Sequence, residues 1–213
     1  MAKSVDDERG FAFLKKKLQD QNNVIIYSVN QEGLADYGVS ESMGQAMEYA
    51  ALRKDKQYFD LLAVQTNKYY LSQAGYYYWK INSTNYTGEQ ISALVDDLRI
   101  FKAYYLASKN NMGNYSEQLE AVSESVYKFD SDGKYLYDFY DDRSRKKAEY
   151  VSLFYLDMNS IDMLQEYDKQ KWQEIWETAR ELLQKMEKRE NGFFPVSFNY
   201  INKEYIWNET GVN

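Results

Sequence analysis

A single proline, Pro195, stands in the 213-residue sequence. Proline stops helices because it lacks an N–H and clashes with the preceding turn. With only 10 glycines besides, almost nothing interrupts a helical chain. The apolar residues keep the helical period over much of the length. Asp6 to Gln19 carries a stripe of Phe11, Leu14 and Leu18, led by acids and closed by a solvated Lys15, Lys16, Lys17 end. Further helices are expected over 41–53, 56–73, 89–109, 115–130 and 168–190. Lys54-Asp55 joins the second and third as a helical hairpin. In the last, Trp172, Ile175, Trp176, Ala179 and Leu182 share one side and read as core, and Asn191-Gly192 ends it.

Short extended pieces separate the helices. They are Val24 to Tyr27, the aromatic run Tyr76 to Ile81, and Lys134 to Tyr140. Residues 31–39 read as a loop with Gly33 and Gly38, and 148–166 as an extended start followed by a helix. Phe193 to Phe198 and Glu204 to Trp207 form a hairpin around Asn202-Lys203. No linker composition appears, so residues 1–213 are one domain: an all-α array of helical hairpins with short β-hairpins in the loops.

Composition removes most chemistries. There is no histidine and no cysteine, which excludes a Ser-His-Asp triad, a thiol nucleophile and zinc sites of ordinary type. The formal net charge is -7, so a nucleic-acid backbone is repelled. No apolar run reaches membrane-spanning length. Carboxylates, Lys, Tyr and Ser remain to do chemistry. The 22 Tyr, 10 Phe and 4 Trp supply either core filler or rings for stacking on sugars.

The stretch from Tyr37 to Leu52 concentrates these possibilities. Ser40 is an expected N-cap, its hydroxyl accepting from an orphan helix N–H. Glu41 follows in the first turn. Gly44, Met47 and Glu48 come at helical spacing, with Gly44 letting something approach the backbone closely. A carboxylate at a helix mouth beside a residue with no side chain suits a ligand site. An ordinary capped helix with acids complementing its dipole gives the same pattern.

The segment Val39-Ser40-Glu41-Ser42-Met43-Gly44-Gln45-Ala46-Met47 resembles the Ser-Glu-Gly-x-Gly-Tyr-Gly-Met signature of glycoside hydrolase family 8 and its bacterial exopolysaccharide-hydrolase relatives. Glu41, Gly44 and Met47 match; Ser42, Gln45 and Ala46 depart from it. Ser92-Ala93-Leu94-Val95-Asp96-Asp97-Leu98-Arg99-Ile100 resembles that family's next inner helix. The resemblance implies an (α/α)6 toroid of six inner and six outer helices. It implies inverting hydrolysis of β-linked chains, with one carboxylic acid protonating the leaving oxygen and a second carboxylate activating water about 6.5–9.5 Å away. Glu41 is then the general acid and Asp97 the aspartate at the reacting sugar, with Asp96 as its alternative. Twelve helices with loops need roughly 300 residues, so the toroid is expected to be incomplete here. The best internal candidate for the base is Asp157, whereas Asp138, Asp141 and Asp142 read as turn residues.

Tyr37, Gly44, Asp96, Tyr78 and Trp79 are the expected substrate-binding residues. Tyr76 and Tyr77 could also stack on sugar, or alternate members of that run could face the core. The expected partner is a polysaccharide or oligosaccharide, met by a monomer outside the cytoplasm or at the cell surface. No cofactor and no metal are needed by that mechanism. A carbohydrate-binding relative without catalysis, and a helical scaffold for a protein partner, are the alternatives.

Overall fold

A computed structural model describes residues 5–26, 37–190 and 192–207. The expected helices are present within these limits, as seven α-helices among the described residues. They are α1 (Val5–Phe13), α2 (Ser40–Arg53), α3 (Lys56–Tyr69), α4 (Leu94–Lys109), α5 (Ser116–Phe129), α6 (Met158–Tyr167) and α7 (Lys169–Gln184). A π-helical turn, Leu14–Leu18, continues α1. Most of the loop expected at 31–39, together with Tyr27 and Asn191, lies outside the described residues.

Helices α2 to α7 form three successive hairpins, the first and third with very short joints. Lys54 closes α2 in the left-handed region at φ 58°, its N–H reaching Ala50 and Ala51. Asp55 then caps α3 by accepting from the Tyr58 N–H. Asp168 ends α6 and caps α7 through the Lys171 N–H. The first helices of the hairpins stand side by side, with α4 packed between α2 and α6, while α3, α5 and α7 each pack on their own partner. The middle helix is accordingly covered on nearly all sides. Leu94, Leu98, Ile100, Phe101, Ala103 and Ala107 have no exposed surface, as expected of a helix that is apolar most of the way round. Trp172 of α7 is fully buried and donates its indole N–H to Ser123 of α5 at 3.0 Å. Trp176 packs only partly against that core and bonds Asp162.

Among the described residues, seven short strands lie in the loops. Strands β1 (Tyr37–Val39) and β2 (Lys80–Asn82) pair antiparallel with Gly38 opposite Ile81. β3 (Tyr140–Asp141) pairs with β4 (Lys146–Lys147). β5 (Tyr150–Ser152), β6 (Ser197–Asn199) and β7 (Glu204–Ile206) form a three-stranded sheet, whose β6–β7 turn is the hairpin expected around Asn202-Lys203.

Three helix ends differ from the sequence reading. Helix α3 stops at Tyr69 because the chain folds back, with Leu71 bridging Tyr77 and Gly75 at φ +101°. Helix α7 stops at Gln184. Helix α4 starts at Leu94, since residues 89–92 are held in extended pairings: Glu89 N–H to Lys80, Trp79 N–H to Ile91 and Ser92 N–H to Tyr140. That moves Asp96 and Asp97 into the first turn of α4. The same segment constrains Gly88, where a Cβ would lie 2.1 Å from the Tyr78 ring. Gly88→Ala is expected to destabilise the protein by about 1–3 kcal/mol, read as a lower denaturant midpoint at unchanged slope.

Candidate functional site

Close approach of α2 and α4 builds the site. A Cβ on Gly44 would lie 3.0 Å from the Arg99 Cβ and 3.4 Å from the Ile100 nitrogen. The group admitted by this glycine is therefore α4 and not a ligand, which corrects the expectation that Gly44 binds substrate. With the helices this close, the Asp96 carboxyl reaches the N-terminus of α2. Ser40 Oγ lies 2.7 Å from Asp96 Oδ2, and the Glu41 backbone N–H donates to the same carboxyl. Ser40 does not cap its own helix. The cap comes from Asp96 across the interface, and the Ser40 hydroxyl faces it with the Trp79 carbonyl 3.3 Å away on its other side.

A cleft of about 360 Å³ opens here. Glu41, Asp96 and Arg99 give it charge, and Tyr37, Trp79, Phe154 and Tyr155 give it aromatic surface. Glu41 projects into it, its side chain 40% exposed, pairing with Arg99 at 3.3 Å and accepting from Gln45 at 3.2 Å. Burial, reinforced by the Glu41 charge, pushes the Asp96 carboxyl up to about 7, against the opposing pull of Ser40, Arg99 and the Glu41 N–H. Lys80 lies over the Tyr37 ring at 4.4 Å, and the Trp79 indole donates to Glu89 at 3.1 Å.

Two rings of this cleft were not among the expected site residues. Leu153 to Tyr155 form a 3₁₀ turn after β5, tied to Val196 through the Leu153 N–H. It presents Phe154, 73% exposed, edge-on to Tyr155 at 4.9 Å. Burial, then the charges of Asp138, Asp96 and Glu41, push the Tyr155 hydroxyl up to about 12. The charges of these three carboxyls thus all act on one phenol. Asp138 is not the turn residue expected: it is buried and accepts from the Ser152 N–H at 2.5 Å and hydroxyl at 2.6 Å. Its signal in the sequence was parity, two residues after buried Leu136 in an extended segment.

The other expected residues lie elsewhere. Asp97 is one helix step round from Asp96, has no exposed surface and does not line the cleft. Neither of its oxygens meets a donor from another residue type. Its neighbour is the equally buried Asp130, to which Ser92 donates at 2.5 Å. Burial and this second carboxyl hold Asp97 well above the usual range, and burial raises Asp130 to about 7. One proton shared between them would link one Asp97 oxygen to Asp130 and leave the other Asp97 oxygen without a partner. Asp157, the expected base, instead caps α6 through Asn159 and Ser160 and stands 3.9 Å from Lys102, which also pairs with Glu48 at 2.8 Å. The Tyr78 ring lies over Gly88 and edge-on to Tyr76 rather than in the cleft. Tyr76 and Tyr77 are both buried. Among the described residues, no group of three or more carboxylates comes together as a metal site, and no helix is long and apolar enough to cross a membrane.

No family model and no curated protein sequence matches the chain. Solved structures do. An α-amylase from Clostridium perfringens superposes with a TM-score of 0.83 at 24% identity, over 93% of this chain and 60% of that one. PssZ from Listeria monocytogenes gives 0.73 at 22%, over 93% and 58%. The endoglucanase Cel10 from Klebsiella pneumoniae, a family 8 glycosyl hydrolase, gives 0.76 at 16%, over 94% and 67%. The architecture is that of the (α/α)6-toroid enzymes. The chain spans about 60% of the length of the first of these structures. Likeness at such identities establishes the fold, and a fold of this kind supports more than one reaction.

Proposed function

We propose that the cleft binds a polysaccharide chain and cleaves it by hydrolysis, with Glu41 giving the proton to the leaving glycosidic oxygen. The substrate class is a β-linked glucan or bacterial exopolysaccharide, a polymer met outside the cytoplasm. One observation carries this reading: a projecting carboxyl, a buried carboxyl raised to about 7, the exposed Phe154 ring and three half-buried aromatic rings share one cleft. Aromatic faces stack on the C–H faces of sugars, and paired carboxyls whose environments differ are the parts glycoside hydrolysis needs. The decisive assay follows reducing ends released from β-glucans and exopolysaccharides alongside glycan binding. Absence of both binding and release rejects the proposal.

A second reading has its own support. Glu41 is held by Arg99 and Gln45, and Asp96 by Ser40, an arrangement equally suited to holding sugar hydroxyls without reaction. Binding without release of reducing ends selects it. Under either reading, affinity is expected to fall as pH rises through about 7, when Asp96 loses its proton. Asp96→Asn should remove that limb from a pH titration of binding.

A further inference from the structure

Helix α7 and the three-stranded sheet leave a groove of about 590 Å³ between them, with Lys134 and Tyr135 adding a further wall. It shares no lining residue with the cleft of Glu41. The strand register sets Phe198 opposite both Val151 and Tyr205, so these residues lie on one face of the sheet. Tyr135, Tyr200, Phe198 and Tyr205 follow one another as a row of rings, with successive centroids 4.6, 5.5 and 4.9 Å apart. Two of them are pinned by their hydroxyls. Tyr200 donates to the Leu136 carbonyl at 2.7 Å, and Tyr205 to the Leu182 carbonyl of α7 at 2.6 Å. All four rings are half-buried, so each keeps part of its surface for a ligand.

The charged groups around the rings are matched. Glu174, Glu177 and Glu181 come from α7, and Lys134, Lys185 and Lys203 balance them in number. Lys134 pairs with Glu174 at 3.4 Å and Lys185 with Glu181, while Glu177 accepts from Gln173 at 2.6 Å. Equal numbers of acids and bases leave no field of one sign to draw in an ion. They do supply donors and acceptors for hydroxyl groups. Fixed rings for C–H faces and balanced polar groups for hydroxyls suit a neutral sugar chain.

We propose that the groove is a second glycan site, separate from the cleft, which holds a neutral pyranose polymer along the row of rings. The choice of polymer rests on the reading of the cleft as a glycan site. A chain held at the groove stays at high effective concentration for the cleft of the same molecule.

The test runs the full chain, carrying Glu41→Gln so that the polymer stays intact, through native gels containing a soluble neutral β-glucan or its carboxymethylated form. Retardation in the gel reads binding. Tyr135→Ala removes one ring. Thr178→Arg keeps every ring and lays a long side chain into the groove, which Thr178 lines. Each should weaken retention by the neutral polymer roughly tenfold, the scale of one lost ring contact, at unchanged melting temperature. Trp79→Ala, in the cleft, should leave the groove's share of retention in place, and Tyr135→Ala added to it should abolish the rest. The carboxymethylated polymer should be retained more weakly than the neutral one, given the formal net charge of -7. Unchanged retention of a folded Tyr135→Ala or Thr178→Arg chain, or its complete loss with Trp79→Ala alone, overturns the groove and leaves the cleft standing. Stronger retention by the acidic polymer overturns the groove as well. Retention that depends on the groove variants and not on Trp79→Ala, with no reducing ends released by the wild-type chain, sustains the groove and rejects the cleft. No retention of any chain overturns both.

Discussion

Asparagine in place of Asp97 is expected to stabilise the protein at pH 8 by roughly 1–3 kcal/mol and to change little at pH 5. Asp97 and Asp130 are fully buried against each other, and the Lys147 charge, which acts on Asp130, does not offset the burial. A carboxyl whose pKa is higher folded than unfolded keeps its proton longer in the native state. Its contribution is fully present below the ordinary value of 3.8 and is lost as pH rises through the folded value, about 7 for Asp130. Asp96 acts in the same sense. The lowered carboxyls Asp132, Asp141, Glu166 and Glu181 act in the opposite sense, but they are surface groups screened by solvent and weigh less. Wild-type stability should therefore be greater at pH 5 than at pH 8. The side-chain amide of the Asp97→Asn variant would donate to Asp130 permanently, so the variant should melt roughly 5 °C higher at pH 8. Asp97→Ala leaves a hole and no donor, and should be destabilising at both values. Equal destabilisation of Asp97→Asn at pH 5 and pH 8 would show that the Asp97 charge itself is needed.

Glu41→Gln should reduce turnover of a susceptible β-glucan by about 10²–10⁴-fold, the range for a removed general acid. Affinity should change by only a few fold, because the amide keeps the shape and can still bond to sugar hydroxyls. The fold should tolerate the change: the Glu41–Arg99 pair is partly exposed, and such pairs contribute about 1 kcal/mol or less. Loss of turnover with binding and melting temperature intact is thus specific to proton donation. Retention of more than about a tenth of wild-type turnover would be incompatible with that role.

The hairpins were legible because their causes are local. The stripes of α3, α5 and α7 and the capping aspartates Asp55 and Asp168 lie within the segments they shape. The start of α4 was not, because extended pairing of residues 89–92 with Lys80, Trp79 and Tyr140 is set by distant chain. The choice between Asp96 and Asp97 failed for a related reason. Adjacent helix positions point about 100° apart, and only the α2 contact at Gly44 decides which one meets the cleft. Phe154 and Tyr155 were hidden in a stretch whose helical and extended patterns overlap, and the 3₁₀ turn that presents them depends on strand β6. Glu41 could be singled out through the resemblance of residues 39–47 to the family 8 signature, since a carboxyl at a helix mouth alone fits an ordinary capped helix equally well.

The Ser40 hydroxyl lies between the Asp96 carboxyl and the carbonyl of Trp79, and its own N–H also donates to that carbonyl at 3.0 Å. The residue that walls the cleft and the group that titrates near neutrality therefore share one bridge. Whatever a bound sugar does to the position of Trp79 is felt in the affinity of Asp96 for its proton, and the reverse holds by the same amount, since coupling between two binding events is reciprocal. Binding should then take up a fraction of a proton near pH 7, in keeping with an affinity that falls as Asp96 ionises. The heat of association would accordingly depend on the ionisation enthalpy of the buffer.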